Sequence, residues 1–493
     1  MTHLRIGPVE GLLLVALAVG LGLAMAVGRP ALLISLVIGC TLLVAAFLST
    51  PLSLYILVFS MLLSPEVMVG GLVGKGATAA RGMTLRFDDV LLVVFGFVWL
   101  VKMAVYKDRP PLLRTPLNWP IMLYTAVSLL ATSIGVLQGH VKPLTGFFYN
   151  LKYFEYFFLY FMVVNAITSQ QQAKNLVVAS FVVCFLVSLY AIAQLPTGER
   201  ASAPFEGETG EPNTLGGYLV FILAICTGLL LTPGAVPRKL PLVILMGTAS
   251  LALMATLSRA SFLAAGVITL GVVVFVSHRR PLLLILVLVG LLSSPFWTPD
   301  AVKKRILFTF TQAPEQGQVH VGAMRIDTST SERLHAWQRA IEFWRQSPLV
   351  GFGVTGGPFM DAMYPRVLTE MGTVGLVAFA VLIWSLFRLG WTVFRDSRDP
   401  PIRGMALGFM FGLAGLLVHA VGSNSFIIVR IMEPFWLYAA FLARAYFLLG
   451  SPQAAQPEET REAPVEPPQA RWSPVSRSAG PQPRVPRPSA GRP

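Results

Sequence analysis

The residues of this chain that could do chemistry fall where its apolar runs break. Thr256-Leu-Ser-Arg259-Ala-Ser261 joins two such runs, and a guanidinium in that setting is costly unless solvated, paired or bound to a ligand. Arg333-Leu-His-Ala-Trp337 opens a later amphipathic stretch, followed by Ser347-Pro-Leu-Val-Gly351-Phe-Gly353. Then comes Asp361-Ala-Met-Tyr364-Pro-Arg366-Val-Leu-Thr-Glu370-Met-Gly372, leading into another apolar run. Earlier, Glu211-Pro-Asn213-Thr-Leu-Gly216-Gly-Tyr218 begins one. Lys152 and Glu155 lie three apart, on one helix face, inside an apolar run. Ionisable groups so placed are functional candidates, with an intrahelical ion pair as the structural alternative. Arg259 as a snorkelling anchor, Arg333 as a surface helix charge and Asp361 as a loop or cap residue are the plainer readings. Tyr149, Tyr153, Tyr156 and Tyr160 suit anchoring and packing better than a ligand platform.

The elements around these residues are set by hydropathy. Of 493 residues, 55% are hydrophobic and 13% charged, with mean hydropathy +0.67; a soluble chain carries roughly 25% charge. A helix crosses ~30 Å of hydrocarbon with about 20 apolar residues and satisfies its own backbone polar groups there. The expectation is an all-α polytopic membrane protein with about fourteen spans. They are read at Gly11–Val27, Ala31–Leu48, Leu52–Leu63, Val90–Val105, Trp119–Leu137, Phe147–Val164 and Leu176–Leu195. The others are Leu215–Leu231, Leu240–Leu257, Phe262–Ser277, Leu282–Phe296, Val367–Phe387, Met405–Val421 and Pro434–Leu449. This transmembrane domain fills 1–450. The tail 451–493, rich in Pro and Arg with few large apolar residues, is expected to be disordered and cytoplasmic. Cys40, Cys184 and Cys226 fall in apolar runs and read as inert thiols, so no disulfide or metal site is expected.

The net charge of +14 is not a nucleic-acid signal, because it concentrates in short loops and the tail. With the N-terminus inside, Lys102, Lys107, Arg109, Arg114, Arg238, Lys239, Arg279, Arg280, Arg388, Arg395, Arg398 and Arg403 fall on the cytoplasmic side. The loop Pro196–Thr214, with four Glu and one Arg, falls outside. Lys75, Arg81 and Arg86 in the outward loop Ser64–Asp89 are the exception: either a span is miscounted there or those cations face a polyanion. One outward loop is long, Trp297–Pro365. It holds an amphipathic stretch, Ser331–Gln346, in which Leu334, Trp337, Ile341 and Trp344 recur at helical spacing and Ser331 is the expected N-cap. It reads as an interfacial helix, as a lid over an outer-face site, or both.

The ordered set from about Pro212 to Gly372 resembles the O-antigen ligase and polymerase superfamily of bacterial membrane glycosyltransferases. The pieces are the Pro-Asn-x-x-Gly start at Pro212, Ser-Arg at Arg259, Arg-x-x-x-Trp at Arg333, Pro-Leu-x-Gly-x-Gly, and Glu-x-Gly at Glu370. The resemblance implies a C-type glycosyltransferase architecture needing no metal or other cofactor. It implies an undecaprenyl-diphosphate-linked oligosaccharide donor, a glycan or lipid A–core acceptor, and a periplasmic site in the inner membrane with both termini cytoplasmic. Membrane lipids, and polysaccharide-assembly proteins, are the expected partners. Arg259 and Arg333 match the family's arginines, which neutralise the diphosphate leaving group. Nine residues before Glu370, where many members resemble His-Asn-x-Tyr/Phe-Leu, stands Asp361, with Ala362 next and Tyr364 at the aromatic position. A carboxylate can serve as base there, and the exchange favours a polymerase over a ligase. Lys152, Glu155, Asn213, Tyr364 and Arg366 are the substrate-binding candidates, and His335 and His419 the rival bases. A lipid-linked oligosaccharide flippase is the alternative of another class. This sequence shows no two-half repeat of the kind such folds often carry, and its unusual charges cluster at one face.

This topology makes a direct expectation. With the native thiols removed, Gln316→Cys should react with an impermeant maleimide in intact cells and Ser476→Cys should be protected. The reverse pattern overturns it.

Overall fold

The computed structural model describes residues 49–69, 83–105, 113–206, 210–275, 300–313, 318–321 and 324–449, with scattered helical positions from 281 to 296. The expected spans Gly11–Val27 and Ala31–Leu48, most of Leu282–Phe296, and the tail lie outside the described residues, as do Cys40, Lys75 and Arg81.

The described chain is helical apart from two short antiparallel hairpins. In order it runs α1 (Thr50–Leu63), β1 (Glu66–Val69), β2 (Met83–Arg86), α2 (Phe87–Val105), α3 (Asn118–Leu137), α4 (Pro143–Ala166) and α5 (Gln170–Ala193). Next are α6 (Pro212–Leu231), α7 (Lys239–Ala255), α8 (Arg259–Phe275) and α9 (Asp300–Thr311). After β3 (His320–Val321) and β4 (Met324–Arg325) come α10 (Thr328–Gln346), α11 (Met363–Asp396), α12 (Pro400–His419) and α13 (Val429–Leu449). Within the described residues, the expected spans from Leu52 to Phe275 and from Val367 onward each fall on a helix. Among the described residues, five helices are long and apolar enough to cross a membrane: Asn118–Leu137, Gln170–Thr197, Pro212–Leu231, Met363–Asp396 and Pro400–His419. The chain is a multi-pass α-helical membrane protein.

Local chemistry starts several helices. The Ser49 hydroxyl accepts from Leu52 N at 3.4 Å and the Ser169 hydroxyl from Gln172 N at 3.2 Å, each satisfying a donor that a first turn leaves free. Proline stands at the start of α1, α4, α6 and α12, where its missing N–H costs nothing. α6 and α12 form the centre. A methyl group added at Gly408 would lie 2.6 Å from the Ala224 carbonyl and Ile225 Cα, and one at Gly228 only 2.2 Å from Gly408 N. Small residues let these backbones touch where lipid offers no hydrophobic drive between helices. Trp436 of α13 packs on the rings of Tyr156, Phe157 and Tyr160 of α4. Those two tyrosines are fully buried and serve packing.

Three expectations are corrected. The long loop carries two helices and a hairpin, with α9 beyond the one amphipathic helix expected. Ser331 is not the N-cap of α10: the helix starts earlier, at Asp327, and the buried Ser331 hydroxyl accepts from Val319 N at 2.9 Å. Spacing gave the face of that helix but not its start, because the Ser331 hydroxyl is used by Val319, just before β3, and not by the helix's own first turn. Arg86, counted above as an outward-loop cation, is buried and paired with Asp88 at 2.8 Å. It is neutralised internally, which removes it from the loop excess.

α11 is broken. Gly372 has φ 61 and ψ −159, outside the helical region. The strap Ser347–Gly353 fills the break: Thr373 N and Val374 N donate to the Pro348 and Leu349 carbonyls, while Phe352 N and Gly353 N donate to those of Thr369 and Glu370. Irregular backbone inside an apolar body persists only where such groups are re-bonded. Gly351 (φ 70) and Gly372 must be glycine on both counts, since an added Cβ would stand 2.5 Å from Thr369 O and from the Leu349 backbone respectively. Gly372→Ala is therefore expected to destabilise the solubilised protein by about 1–3 kcal/mol from backbone strain alone. Gly247→Ala, with nothing within 4 Å of its Cβ, should leave the melting temperature unchanged or slightly raised.

Candidate functional site

The turn Thr256–Ser258 between α7 and α8 sets the first arginine. Leu257 is held at φ 48, a conformation a leucine adopts only under constraint. The Thr256 hydroxyl accepts from Ser258 N at 3.2 Å, so the chain reverses sharply and α8 begins with Arg259. Its guanidinium donates to the buried Asp327 carboxylate at 2.6 Å. Burial alone would raise the Asp327 carboxyl, but the hydrogen bonds from Arg259 and Thr330 and the charges of Arg259 and Arg305 hold it below its ordinary range. Asp327 stands at the N-cap position of α10, so this pair ties that helix to α8.

Arg333 lies one turn into α10 and donates from Nε to the Gly422 carbonyl at 3.1 Å. Burial disfavours its charge, Asp361 opposes that effect, and Arg259 and Arg305 add repulsion. Arg200, on the loop after α5, donates to the Thr256 carbonyl at 3.0 Å and to Asn213 Oδ1 at 3.2 Å. Burial first, then repulsion from Arg305, Arg259 and Arg333, pushes its pKa down to about 10; it is still a cation at neutral pH. Arg305 of α9 stands half-buried, its Nε without a hydrogen-bond partner among the described residues. Four guanidiniums thus feel one another, with Asp327 and Asp361 as the carboxylates among them. Such a concentration of cations is stabilised by a multivalent anion, and guanidinium groups meet phosphate oxygens through paired hydrogen bonds.

A buried polar chain supports the cluster from below. Asn213 Oδ1 accepts from Ser258 Oγ at 2.8 Å, Ser261 Oγ donates to Ser258 Oγ at 2.8 Å, and His419 Nε2 meets Ser261 Oγ at 3.1 Å. His419 Nδ1 meets Ser425 Oγ at 2.7 Å. With both ring nitrogens engaged and no exposed surface, His419 is a positioning group and not a base that reaches substrate. His335 is half-buried, with Nδ1 3.1 Å from Gln338 Oε1.

Asp361 is exposed beside Arg333. Its segment is pinned by Asn424 Nδ2 donating to the Met360 carbonyl at 2.8 Å and by Met363 N donating to Ala420 O at 3.1 Å. Ala336 and Ala340 of α10 pack on Met360, while Leu334, Trp337 and Ile341 are exposed. The small face of this helix meets the body and the large apolar face is left outward.

Of the residues singled out in the sequence, Arg259, Arg333, Asn213 and Asp361 come together. Tyr364 donates to the Leu417 carbonyl at 2.6 Å. Arg366 is paired with Glu370 at 3.0 Å, bonded to the Tyr153 hydroxyl, and flanked by the Tyr153 and Phe359 rings. Lys152 and Glu155 pair with each other at 3.2 Å and join a buried cluster of Arg86, Asp88, Asp89 and Glu433. Sequence reasoning missed Arg200, Arg305 and Asp327. Arg200 was visible as the lone cation in a Glu-rich loop, and Arg305 ends a Lys-Lys-Arg run. Neither pattern says what it faces.

The fold and site thus define a helical membrane protein with a polycationic centre at one end of its bundle. Among the described residues no group of three or more His, Cys, Asp or Glu is arranged to hold a metal ion. Residues 242–375 match the family model described as O-Antigen ligase, which supports the resemblance to the O-antigen ligase and polymerase superfamily. The match contains Arg259, Arg333 and Asp361; Arg200 and Asn213 lie before it. No curated protein matches the chain.

Arg200→Gln and Arg305→Gln are each expected to weaken binding of inorganic diphosphate to the purified protein roughly 10–100-fold, the value of a hydrogen bond to a charged group. Arg388→Gln, exposed in the distal half of α11, should leave the affinity unchanged in the same calorimetric titration.

Proposed function

We propose that the protein is a membrane glycosyltransferase of cell-surface polysaccharide assembly, acting on an undecaprenyl-diphosphate-linked glycan at the periplasmic face of a bacterial inner membrane. The observation that carries this reading is the four-arginine cluster beside an exposed carboxylate, of which Arg259, Arg305, Arg333 and Asp361 lie inside the segment matching the O-Antigen ligase model. In the reaction the acceptor hydroxyl oxygen attacks the anomeric carbon of the donor glycan. Its proton passes to the Asp361 carboxylate. The bond from anomeric carbon to diphosphate oxygen breaks, and the electron pair leaves with the lipid diphosphate. Arg259 and Arg333, with Arg200 and Arg305 beside them, neutralise the charge that grows there. Asn213 orients Arg200. Tyr364, Arg366, Lys152 and Glu155 act around the acceptor and donor sugars only through the walls they brace.

The polymerase reading, in which the acceptor is the repeat unit on a second carrier lipid, is favoured by Asp361 in place of the ligase-type His. The ligase reading, in which the acceptor is lipid A–core, draws on the description of the matched family. Deleting the gene separates them: single repeats capping a lipid follow loss of a polymerase, full-length chains left on carrier lipid follow loss of a ligase, and unchanged glycans refute both.

Asp361→Asn should keep donor affinity and lose turnover by about 10²–10⁴-fold, the usual worth of a general base. Arg259→Lys and Arg333→Lys keep the charge but lose the two-pronged geometry, so each should weaken donor binding while still inserting and folding. Near-normal turnover in Asp361→Asn would show that another group is the base, His335 being the next to test.

A further inference from the structure

At the other end of the bundle the helices that frame the arginine cluster enclose a second feature. α6 and α12 run about 20 residues, ~30 Å, from the cluster to this end, and α7 runs back. Between them, α5 and α13 lies a cavity of about 790 Å³, within the roughly 300–1,000 Å³ of a small-molecule site. Its walls are apolar: Phe181 and Phe185 of α5, Leu229 of α6, Leu245 of α7, Met405 of α12 and Phe441 of α13 line it. Along α5 it extends from Gln170 to Phe185, about 22 Å of helix rise. That exceeds the depth of one leaflet's hydrocarbon, half of the ~30 Å core.

The mouth has the opposite character. Lys174, Arg238 and Arg444 line it. Lys174 is paired with Asp399 at 2.8 Å, so its charge is already met. Arg238 is exposed at the cap of α7 and makes no ion pair among the described residues. Arg444 lies over the Phe447 ring, and its buried Nε has no hydrogen-bond partner among the described residues. Among the described residues, two guanidiniums without a carboxylate partner therefore line a long apolar groove. Basic pockets between transmembrane helices are recognised by anionic lipid headgroups, and a guanidinium meets a phosphate diester through two hydrogen bonds.

We infer that this groove is a binding site for an anionic phospholipid of the bilayer, its phosphate between Arg238 and Arg444 and one acyl chain along α5. The site is separate from the transfer chemistry and does not depend on it. It fixes the ends of α5, α7, α12 and α13 to one another from the membrane side, and so braces the four helices from which α6 and the arginine cluster are held.

The test uses the full-length protein in detergent, with dioleoyl phosphatidylglycerol and dioleoyl phosphatidylethanolamine as probes, read by native mass spectrometry and thermal melting. Phosphatidylglycerol should be retained about thirtyfold more tightly, as two basic residues at a membrane surface predict, and should raise the melting temperature more. In the double variant Arg238→Gln/Arg444→Gln the two lipids should bind alike, with the lipid-free melting temperature unchanged. Val182→Trp, which fills the groove from an exposed position, should abolish retention of both. Equal retention of the two lipids by the wild type overturns the proposal, as does a headgroup preference that survives in the double variant. Retention of neither lipid means that protein covers the groove, which also overturns it.

Discussion

A helix broken inside an apolar body must have its freed N–H and C=O groups bonded again, and in this protein nearly everything about the site follows from how that is done. The break at Gly372 is filled by the strap Ser347–Gly353, which exchanges four backbone hydrogen bonds with α11 on either side of it. The strap is the direct continuation of α10, so the same bonds that heal α11 fix the helix bearing Arg333. They also fix the segment that follows, where Asp361 sits. Pro348, Gly351, Gly353 and Gly372 are thus one device. Its glycines permit close backbone approach, and no ligand contact is needed to explain them.

Two charge clusters of opposite balance sit in the described bundle. In one, four arginines meet two carboxylates, and the surplus is positive. In the other, Arg86 and Lys152 meet Asp88, Asp89, Glu155 and Glu433, and the surplus is acidic. Charges in so apolar a body persist only with partners or ligands. The acidic cluster is paired internally: Ser64 donates to Asp88 at 2.9 Å, and Arg86 and Lys152 of β2 and α4 stand among the carboxylates of α2, α4 and α13. The arginine cluster is bordered by a loop, a short hairpin and an amphipathic helix, and Arg259 and Arg333 tie that helix to α8 and to the Gly422 carbonyl.

The stiff part of the molecule is the α6–α12 contact. Backbone approach at Gly228, Gly404 and Gly408 replaces side-chain interdigitation there, and α6 is buried along almost its whole length. The N-terminal end of α6 carries Asn213, and the C-terminal end of α12 carries His419. The polar chain from Arg200 to Ser425 is therefore strung between the two helices least able to shift. The site's cations are long and flexible, but their hydrogen-bond partners are not.

Hydropathy alone determined the class of the protein and the position of most described helices, because each span satisfies its own backbone and needs no distant partner to be recognised. Local spacing likewise placed Arg259, Arg333, Asn213 and Asp361 at helix starts and turns. What only the tertiary structure decided was which charges face which. Arg86 read as a loop cation and is an internal counter-ion; Arg200 read only as the one cation of an outward loop and Arg305 was passed over, yet both join the cluster; Ser331 read as a cap and is a buried hydroxyl one turn in. Those assignments depend on contacts between residues tens to hundreds of positions apart, such as Arg259 with Asp327 or Tyr156 with the Phe426 carbonyl. A one-dimensional pattern carries the cost of burying a charge, but not the identity of the group that relieves it.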